Sequence, residues 1–329
     1  MKLISFLFAR LGKAFFVILG VVVLNFLLIR LAPGDPASIM AGEAASSDPA
    51  YVEQLRQQFG FDQPLLQQLW LYIKGILQFD LGYSYRNRLP VLDLILDRLP
   101  ATLLLMLLAF AFSFLVGGLL GVLAARSRYT NKKKWVDSSI MAVALLFYAT
   151  PLFWLSLLLI ILFSVTLGWL PAFGMESVGA GLTGLDRVLD ISAHLVLPVI
   201  SLGCFFMAVY ARLARASMLE VMGMDFIKTA RAKGVPAGQV IRKHVIRNAM
   251  LPVVTFAGIQ LGQMAGGAVL TETVFGWPGI GRLMFDALMQ RDYQLLLGVF
   301  LVTSSMVVLF NIITDLIYRV VDPRIELGN

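Results

Sequence analysis

Few side chains in this 329-residue sequence could do covalent chemistry. His194 and His244 are its two histidines, and Cys204 is its single cysteine. The histidines stand far apart, with no second cysteine or carboxylate run beside them, so they offer no metal-ligand spacing. No Ser/His/Asp or Cys/His set pairs a nucleophile with a base. The phosphate-cradling pattern Gly-x-x-x-x-Gly-Lys-Ser/Thr does not occur. His194 is expected as a polar residue at the mouth of an apolar segment, and His244 as one polar group among basic ones. Cys204 lies within an apolar run and is expected as a small buried hydrophobe. These residues give the chain neither a metal site nor catalysis of its own, and any work it does must draw energy from elsewhere.

The elements that carry these residues are built for lipid. The chain is 59% apolar and 14% charged, with a mean hydropathy of +0.82. A water-soluble domain of this size needs far more charge to cover its surface. Apolar runs at 13–31, 101–125, 138–167, 195–213, 251–274 and 295–318 fit six spanning helices. Helices satisfy their own backbone hydrogen bonds within one segment, and the runs lack the alternation of barrel strands. The fold class is therefore an all-α membrane protein, a polytopic six-helix bundle. The third run holds Pro151 and is expected to tilt, kink or end early. Residues 2–29 resemble a secretory signal, but no good cleavage site follows, and they read as an uncleaved first span. The organisation is a first span over 1–31, an extracytoplasmic segment over 32–100 and a five-helix core over 101–329.

Charge sets the orientation. With the N-terminus inside, the inner segments hold 18 lysines and arginines, the outer ones hold 8, and Arg30 lies at a boundary. Acidic residues run the other way, 14 outside and 6 inside. This bias places both termini in the cytoplasm. The net charge of +7 is then a mark of topology and not of a nucleic-acid face. The outer segment has helical candidates at Pro49–Phe59, capped by Asp48, and at Leu65–Leu77. Asp80-Leu-Gly-Tyr-Ser84 reads as a turn. The acidic residues Asp48, Glu53, Asp62 and Asp80 either steer a binding partner or only mark the outside.

The inner loop at 217–250 carries more pattern than orientation needs. Asp225 is expected to cap a short helix over 226–233, with Phe226, Ile227 and Ala230 on one face and Lys228, Arg231 and Lys233 elsewhere. Gly234 suits the C′ stop, and Pro236 the first turn of a second helix. Leu251-Pro252 then opens the next span. Small residues at Ala230, Ala232 and Gly234 would let another protein's surface approach closely.

The stretch Asp225-Phe-Ile-Lys-Thr-Ala-Arg-Ala-Lys-Gly234, followed by Arg247-Asn-Ala-Met-Leu-Pro252, resembles the cytoplasmic signature of permeases in the dipeptide/oligopeptide/nickel class of binding-protein-dependent ABC importers, most of all the B-type permease of dipeptide importers. Leu31-Ala-Pro-Gly-Asp-Pro36, Asp80-Leu-Gly-Tyr-Ser84, Arg98-Leu-Pro-Ala-Thr102, Thr271-Glu-Thr-Val-Phe-Gly-Trp-Pro-Gly-Ile-Gly281, Arg291-Asp-Tyr293 and Val321-Asp-Pro-Arg324 match the same class in the same order. The general ABC-permease loop motif has glutamate where Lys228 stands, and its Leu-Pro comes five residues earlier than here, a variant common in the peptide class. The resemblance implies a type I ABC-importer permease fold in a bacterial inner membrane. The implied partners are a second homologous permease, two cytoplasmic ATPase subunits that bind ATP-Mg, and an extracytoplasmic substrate-binding protein, with no cofactor on this chain and no nucleic acid. Asp225, Phe226, Ile227, Thr229, Ala230, Arg231, Ala232, Lys233 and Gly234 would then couple the chain to the ATPases. The implied cargo is small peptides, with nickel complexes, glutathione and opines as alternatives.

An ion-coupled carrier is the other class of transporter to weigh. Such carriers bury carboxylates at mid-membrane, whereas Glu272 and Asp315 lie near span ends. A membrane scaffold without transport is a third possibility, excluded by co-purification of an ATPase. Thr255, Gln260, Gln263 and Glu272 are candidates to line a pathway. The glutamines equally suit bonds between helices, and Gly258, Gly262, Gly266 and Gly267 suit tight packing. Asn25, Asn311 and Thr314 read as helix–helix hydrogen-bonding residues. Phe275, Trp277 and Pro278 mark an outer-mouth loop that either folds back toward a pore or is a turn with an interfacial tryptophan.

Overall fold

The computed structural model describes the backbone of residues 2–31, 35–41, 48–59, 63–84, 86–130 and 134–321. Residues 32–34 and 322–324 of two signature stretches, and Asp62, lie outside the described residues, as does the side chain of Gln263. The described chain is almost wholly helical. Its helices are α1 (Lys2–Leu31), α2 (Pro36–Ala41), α3 (Pro49–Phe59), α4 (Leu65–Leu77), α5 (Val91–Thr130), α6 (Lys134–Ala149), α7 (Leu152–Leu159), α8 (Gly184–Gly223), α9 (Asp225–Ala232), α10 (Ala237–Gln239), α11 (Ile246–Val274), α12 (Ile280–Met289) and α13 (Tyr293–Val321). A two-residue antiparallel hairpin, β1 (Tyr83–Ser84) with β2 (Leu89–Pro90), stands before α5.

Among the described residues five helices are long and apolar enough to cross a bilayer, and a sixth is counted if the bent pair α6–α7 is one span. That pair is the kink expected of the Pro151-containing run at 138–167. Pro151 ends α6 and caps α7, the two meet at 105°, and π-helical turns over Ile160–Thr166 extend the second half. A proline lacks the N–H and crowds the preceding turn, so a break here follows from its ring. α5 and α8 are 40 residues each, about 60 Å at about 1.5 Å per residue, against about 30 Å of hydrocarbon. Both are therefore about twice as long as one crossing needs.

The chain divides into two compact units. One comprises Met1–Leu103 and Pro278–Leu309. Here the signature stretches prove to be structural partners. The Ser84 hydroxyl donates to the Asp292 carboxylate at 2.5 Å, both buried, and the other Asp292 oxygen accepts from the Leu295 N–H, capping α13. Thr102 accepts from the Ile280 N–H at 2.8 Å, so α5 caps the start of α12. Gln294 donates to the Leu81 carbonyl. Val91, Ile95, Ile280, Leu283, Ala287, Leu295 and Val299 form the core beneath them. The Asp48 carboxylate accepts from the Ala50 and Tyr51 N–H groups at the start of α3, as expected. Asn25 donates from α1 to the Leu297 carbonyl on α13, the interhelical role expected of it.

The other unit comprises Leu104–Trp277 and Phe310–Asn329. A close helix contact runs between α5 and α8. A Cβ added at Gly117 would lie 2.5 Å from the Met207 carbonyl oxygen, and one at Gly121 2.5 Å from that of Ala211. The Gly-x-x-x-Gly spacing lets two backbones touch, and dispersion between them replaces the hydrophobic drive absent in lipid. A second close approach places Gly258 of α11 against Thr314 of α13, whose hydroxyl donates to the Gly258 carbonyl at 2.8 Å. Thr314 thus acts as expected, whereas Asn311 is exposed. Cys204 is buried with Leu155 and Met207, as expected of an apolar residue. Asp137 on α6 and Arg215 on α8 form a two-pronged ion pair at 2.5 and 2.8 Å.

Candidate functional site

The inner loop folds as a hairpin seated on the helices that lead into it. α8 ends at Gly223 and α9 follows with only Met224 between them. Asp225 is the first residue of α9 and not its cap. Met224 holds the cap position without a side-chain bond, and the Asp225 carboxylate instead accepts from Lys228 Nζ at 2.8 Å. The glycine stop forms as expected. Gly234 sits at φ +77°, its N–H donates to the Arg231 carbonyl, and the Val235 N–H donates to that of Ala230. This paired closure satisfies two terminal carbonyls and needs a left-handed residue at Gly234.

Pro236 is the cap of α10 and not part of its first turn. The chain then continues through π-helical turns over Val240–Val245 directly into α11. Pro252 lies inside α11, so Leu251-Pro252 does not open a new helix. The second arm of the hairpin and the following apolar helix form one rod.

The hairpin has a buried face and a bare one. Ile227, Val240, Ile241 and Val245 are buried with Ala125 of α5, Met218, Val221 and Met222 of α8, and Ala249 of α11. The Arg231 guanidinium lies 4.4 Å from the centroid of the Tyr129 ring on α5, a cation–π contact that ties the outer end of α9 to a membrane helix. The expected face of Phe226, Ile227 and Ala230 is therefore divided. Ile227 points into the chain's own core, Ala230 is half-buried, and Phe226 is 43% exposed beside Met224 at 40%. Asp225, Lys228, Thr229, Arg231, Ala232, Lys233 and Gly234 are exposed. Two large exposed apolar side chains, flanked by small and charged ones, form a contact surface without a partner among the described residues.

Among the described side chains the pathway candidates do not converge on one crevice. On α11, Thr255 is exposed, Gln260 is 3% exposed and Glu272 is fully buried. Two crevices are lined respectively by Leu71, Lys74, Asp80 and Gln294, and by Asn87, Arg98, Arg282 and Asp286, among others. Neither is lined by Thr255, Gln260 or Glu272. At the loop after α11, Phe275 and Trp277 are 1% and 0% exposed. Trp277 is thus a core residue and not an interfacial one. Its N–H donates to the Glu272 carbonyl at 2.8 Å, and the Phe275 carbonyl accepts from Gly174. Pro278 is half-buried just before α12. His194 is buried, its Nδ1 2.8 Å from the Asp190 carbonyl one turn earlier.

The Arg231–Tyr129 and Arg215–Asp137 contacts were not anticipated, since each joins residues remote in sequence. Gly117-x-x-x-Gly121 carried a usable signal in its spacing alone.

A family model for the binding-protein-dependent transport system inner membrane component matches residues 117–327, and the model for the N-terminal part of such components matches residues 3–106. The dipeptide transport system permease protein DppB of Escherichia coli (strain K12) is 41% identical over 341 aligned positions, covering 98% of this chain and 99% of the relative. The di/tripeptide transport system permease protein DppB of Pseudomonas aeruginosa (strain UCBPP-PA14) is 40% identical over 338 positions, covering 98% and 99%. Among solved structures, the inward-facing MetNI methionine ABC transporter is similar with a TM-score of 0.55 at 20% identity, covering 70% of this chain and 96% of that one. An amino acid ABC transporter with histidines is similar at 0.52 and 19%, covering 69% and 94%. At these identities the two structures bear on the fold alone.

Proposed function

Because the chain belongs to the family of binding-protein-dependent transport system inner membrane components, we propose that it forms half of the translocation pathway of an ATP-driven importer of di- and oligopeptides, driven through the α9 hairpin. The observation that carries this is the bare Met224–Phe226 surface on a hairpin whose base is buried against α5, α8 and α11. A loop serving orientation alone needs charge and no such base. The named peptide permeases at 41% and 40% identity support the cargo.

The mechanism follows from rigidity. Two ATPase subunits each hold a groove, and Met224 and Phe226 fill the one facing this chain. Closure of the ATPases on ATP-Mg displaces α9. Ile227 and the Arg231–Tyr129 contact pass that displacement to α5 and α8, and the continuous rod of α10 and α11 carries it into the membrane. The bundle rocks between inward- and outward-facing states as packed bodies. A second homologous permease supplies the other half of the path, and an extracytoplasmic binding protein delivers the peptide. The excess of lysine and arginine in the segments on the hairpin's side supports a topology with the hairpin and both termini in the cytoplasm.

The test is uptake of radiolabelled dipeptide by proteoliposomes holding the assembled importer. Phe226→Glu and Gly234→Glu should abolish ATP-driven uptake while the chain remains inserted at native levels. Native uptake by Phe226→Glu removes the docking role, and accumulation by the chain without nucleotide removes the ATP-driven one.

A further inference from the structure

The helix α4 (Leu65–Leu77) is built the wrong way round for water. Leu66 is 83% exposed, Trp70 61% and Leu77 71%, with Ile73 half-buried among them. These four recur at i, i+4, i+7 and i+11 and make one apolar stripe. Phe79, just past the helix, is 74% exposed. Gln68, in contrast, is 6% exposed on the inward side, its amide donating to the Gln63 carbonyl at 2.7 Å. A helix facing water would reverse these assignments. Lys74 is the one charged residue in the helix, and with Gln67 it borders the stripe on the exposed side.

The position of α4 says what covers the stripe. Its Tyr72 ring meets the ring of Phe26 on α1, with centroids 6.3 Å apart. Phe26 lies two residues inside the end, at Leu28, of the apolar window of α1, about 3 Å along the axis. The middle of α4 therefore sits at the level where that span leaves the hydrocarbon. On α1 itself Leu24, Leu27 and Leu28 are exposed at that end, as a lipid-facing surface requires. The α4 stripe thus lies at the same level along α1 as that exposed apolar surface. Trp70 is the amphipathic residue favoured at that boundary, and the Lys74 stem can reach from it to water.

We propose that α4 is a membrane-surface helix, whose Leu66–Trp70–Ile73–Leu77 stripe and Phe79 enter the leaflet at the Leu31 end of α1. Under the topology proposed above this is the outer leaflet, and the helix holds the extracytoplasmic segment against the bilayer. Binding of a basic or acidic protein face is not what this stripe offers. It takes acyl chains and the glycerol region of phospholipid.

The test uses the assembled importer in nanodiscs, in a Cys204→Ala background, with nitroxide labels at Leu66→Cys, Leu77→Cys, Gln67→Cys and Lys74→Cys in turn. Relaxation by oxygen, which partitions into lipid, is compared with relaxation by a water-soluble nickel chelate. At positions 66 and 77 oxygen should dominate several-fold, and at 67 and 74 the chelate should. Dominance of the chelate at all four positions would mean a water-facing helix and would overturn the proposal. Protection of 66 and 77 from both reagents would mean that a partner protein covers the stripe, and would overturn it equally. A second measurement needs no label on α4. Brominated phospholipid should quench the native protein more than Trp70→Phe, and equal quenching contradicts lipid contact. Neither outcome depends on the cargo or on the ATPase contact.

Discussion

Replacing Gly121 by alanine tests the packing of α5 on α8 with a single methyl group. The added Cβ would stand 2.5 Å from the Ala211 carbonyl oxygen, 2.6 Å from the Ala214 Cβ and 3.0 Å from the Arg215 nitrogen. Carbon atoms in contact normally lie about 3.5–4.0 Å apart, so α8 must retreat by about 1 Å. All three neighbours belong to one helix, two as backbone atoms and the third as the Ala214 Cβ, so no side-chain rotation relieves them. Forcing an extra methyl group into such a contact costs about 1–3 kcal/mol. Gly118 is the internal control. A Cβ there meets only the Met250 Cε at 3.6 Å, an ordinary contact. Gly→Ala gains up to about 1 kcal/mol of helix propensity at both positions, so that gain cancels between the variants. Gly121→Ala should therefore fall about 1–3 kcal/mol below Gly118→Ala. Unfolding of the purified protein in detergent, followed by circular dichroism, gives the comparison. Equal midpoints for the two alanine variants would refute the close approach of these helices.

Three further outcomes follow from other contacts. Gly234→Ala meets no atom within 4 Å but must hold φ +77°, so it should cost about 1–2 kcal/mol through backbone strain alone, seen as faster hydrogen exchange at 225–240 without a change in the α5–α8 amides. Asp137→Ala leaves Arg215, whose side chain is 26% exposed, without its carboxylate. The full range for a broken buried pair is about 3–5 kcal/mol, and the partial exposure brings this to about 2–3 kcal/mol, checked by the same unfolding assay. At Asp35 burial alone would raise the carboxyl pKa, but hydrogen bonds from the Ser38 hydroxyl and N–H, and the Arg56 guanidinium, outweigh it and hold the group below its ordinary value. A depressed carboxylate stabilises above its unfolded pKa and loses that stabilisation as pH falls through the folded one. The native protein should therefore exceed Asp35→Asn in stability at pH 7, and the gap should close in acid below about pH 3.9, as followed by melting against pH.

Periodicity and termination signals were the legible part of this chain. The bounds of α3 and α4 coincide with those read from the sequence, the start of α3 from its Asp48 cap, and the Gly234 stop was legible because one backbone geometry demands that residue. Asn25 and Thr314 were legible because a polar group in an apolar helix must find a partner. What failed depended on tertiary context. Asp225 is a good cap residue by type, yet Lys228 takes its carboxylate. Phe226 and Ile227 are adjacent and similar, and only the position of α5 and α8 decides that one is buried and the other bare. Trp277 carries the composition of an interfacial residue, but the turn closed by its N–H on Glu272 takes it into the core. The signature stretches were legible as signatures and silent as to cause. Ser84 with Asp292 and Thr102 with Ile280 now give four of them, in two pairs, a mutual structural reason.

The grip on the hairpin can be measured directly by cross-linking. A cysteine at Phe226, again in the Cys204→Ala background, carries a short photoactivatable linker in the complete importer in inside-out vesicles. An ATPase subunit is the expected cross-linked product, with a yield that changes when ATP-Mg is added. Labelling of position 226 by a membrane-impermeant maleimide in intact cells with a permeabilised outer barrier, and no ATPase adduct in vesicles, would contradict it.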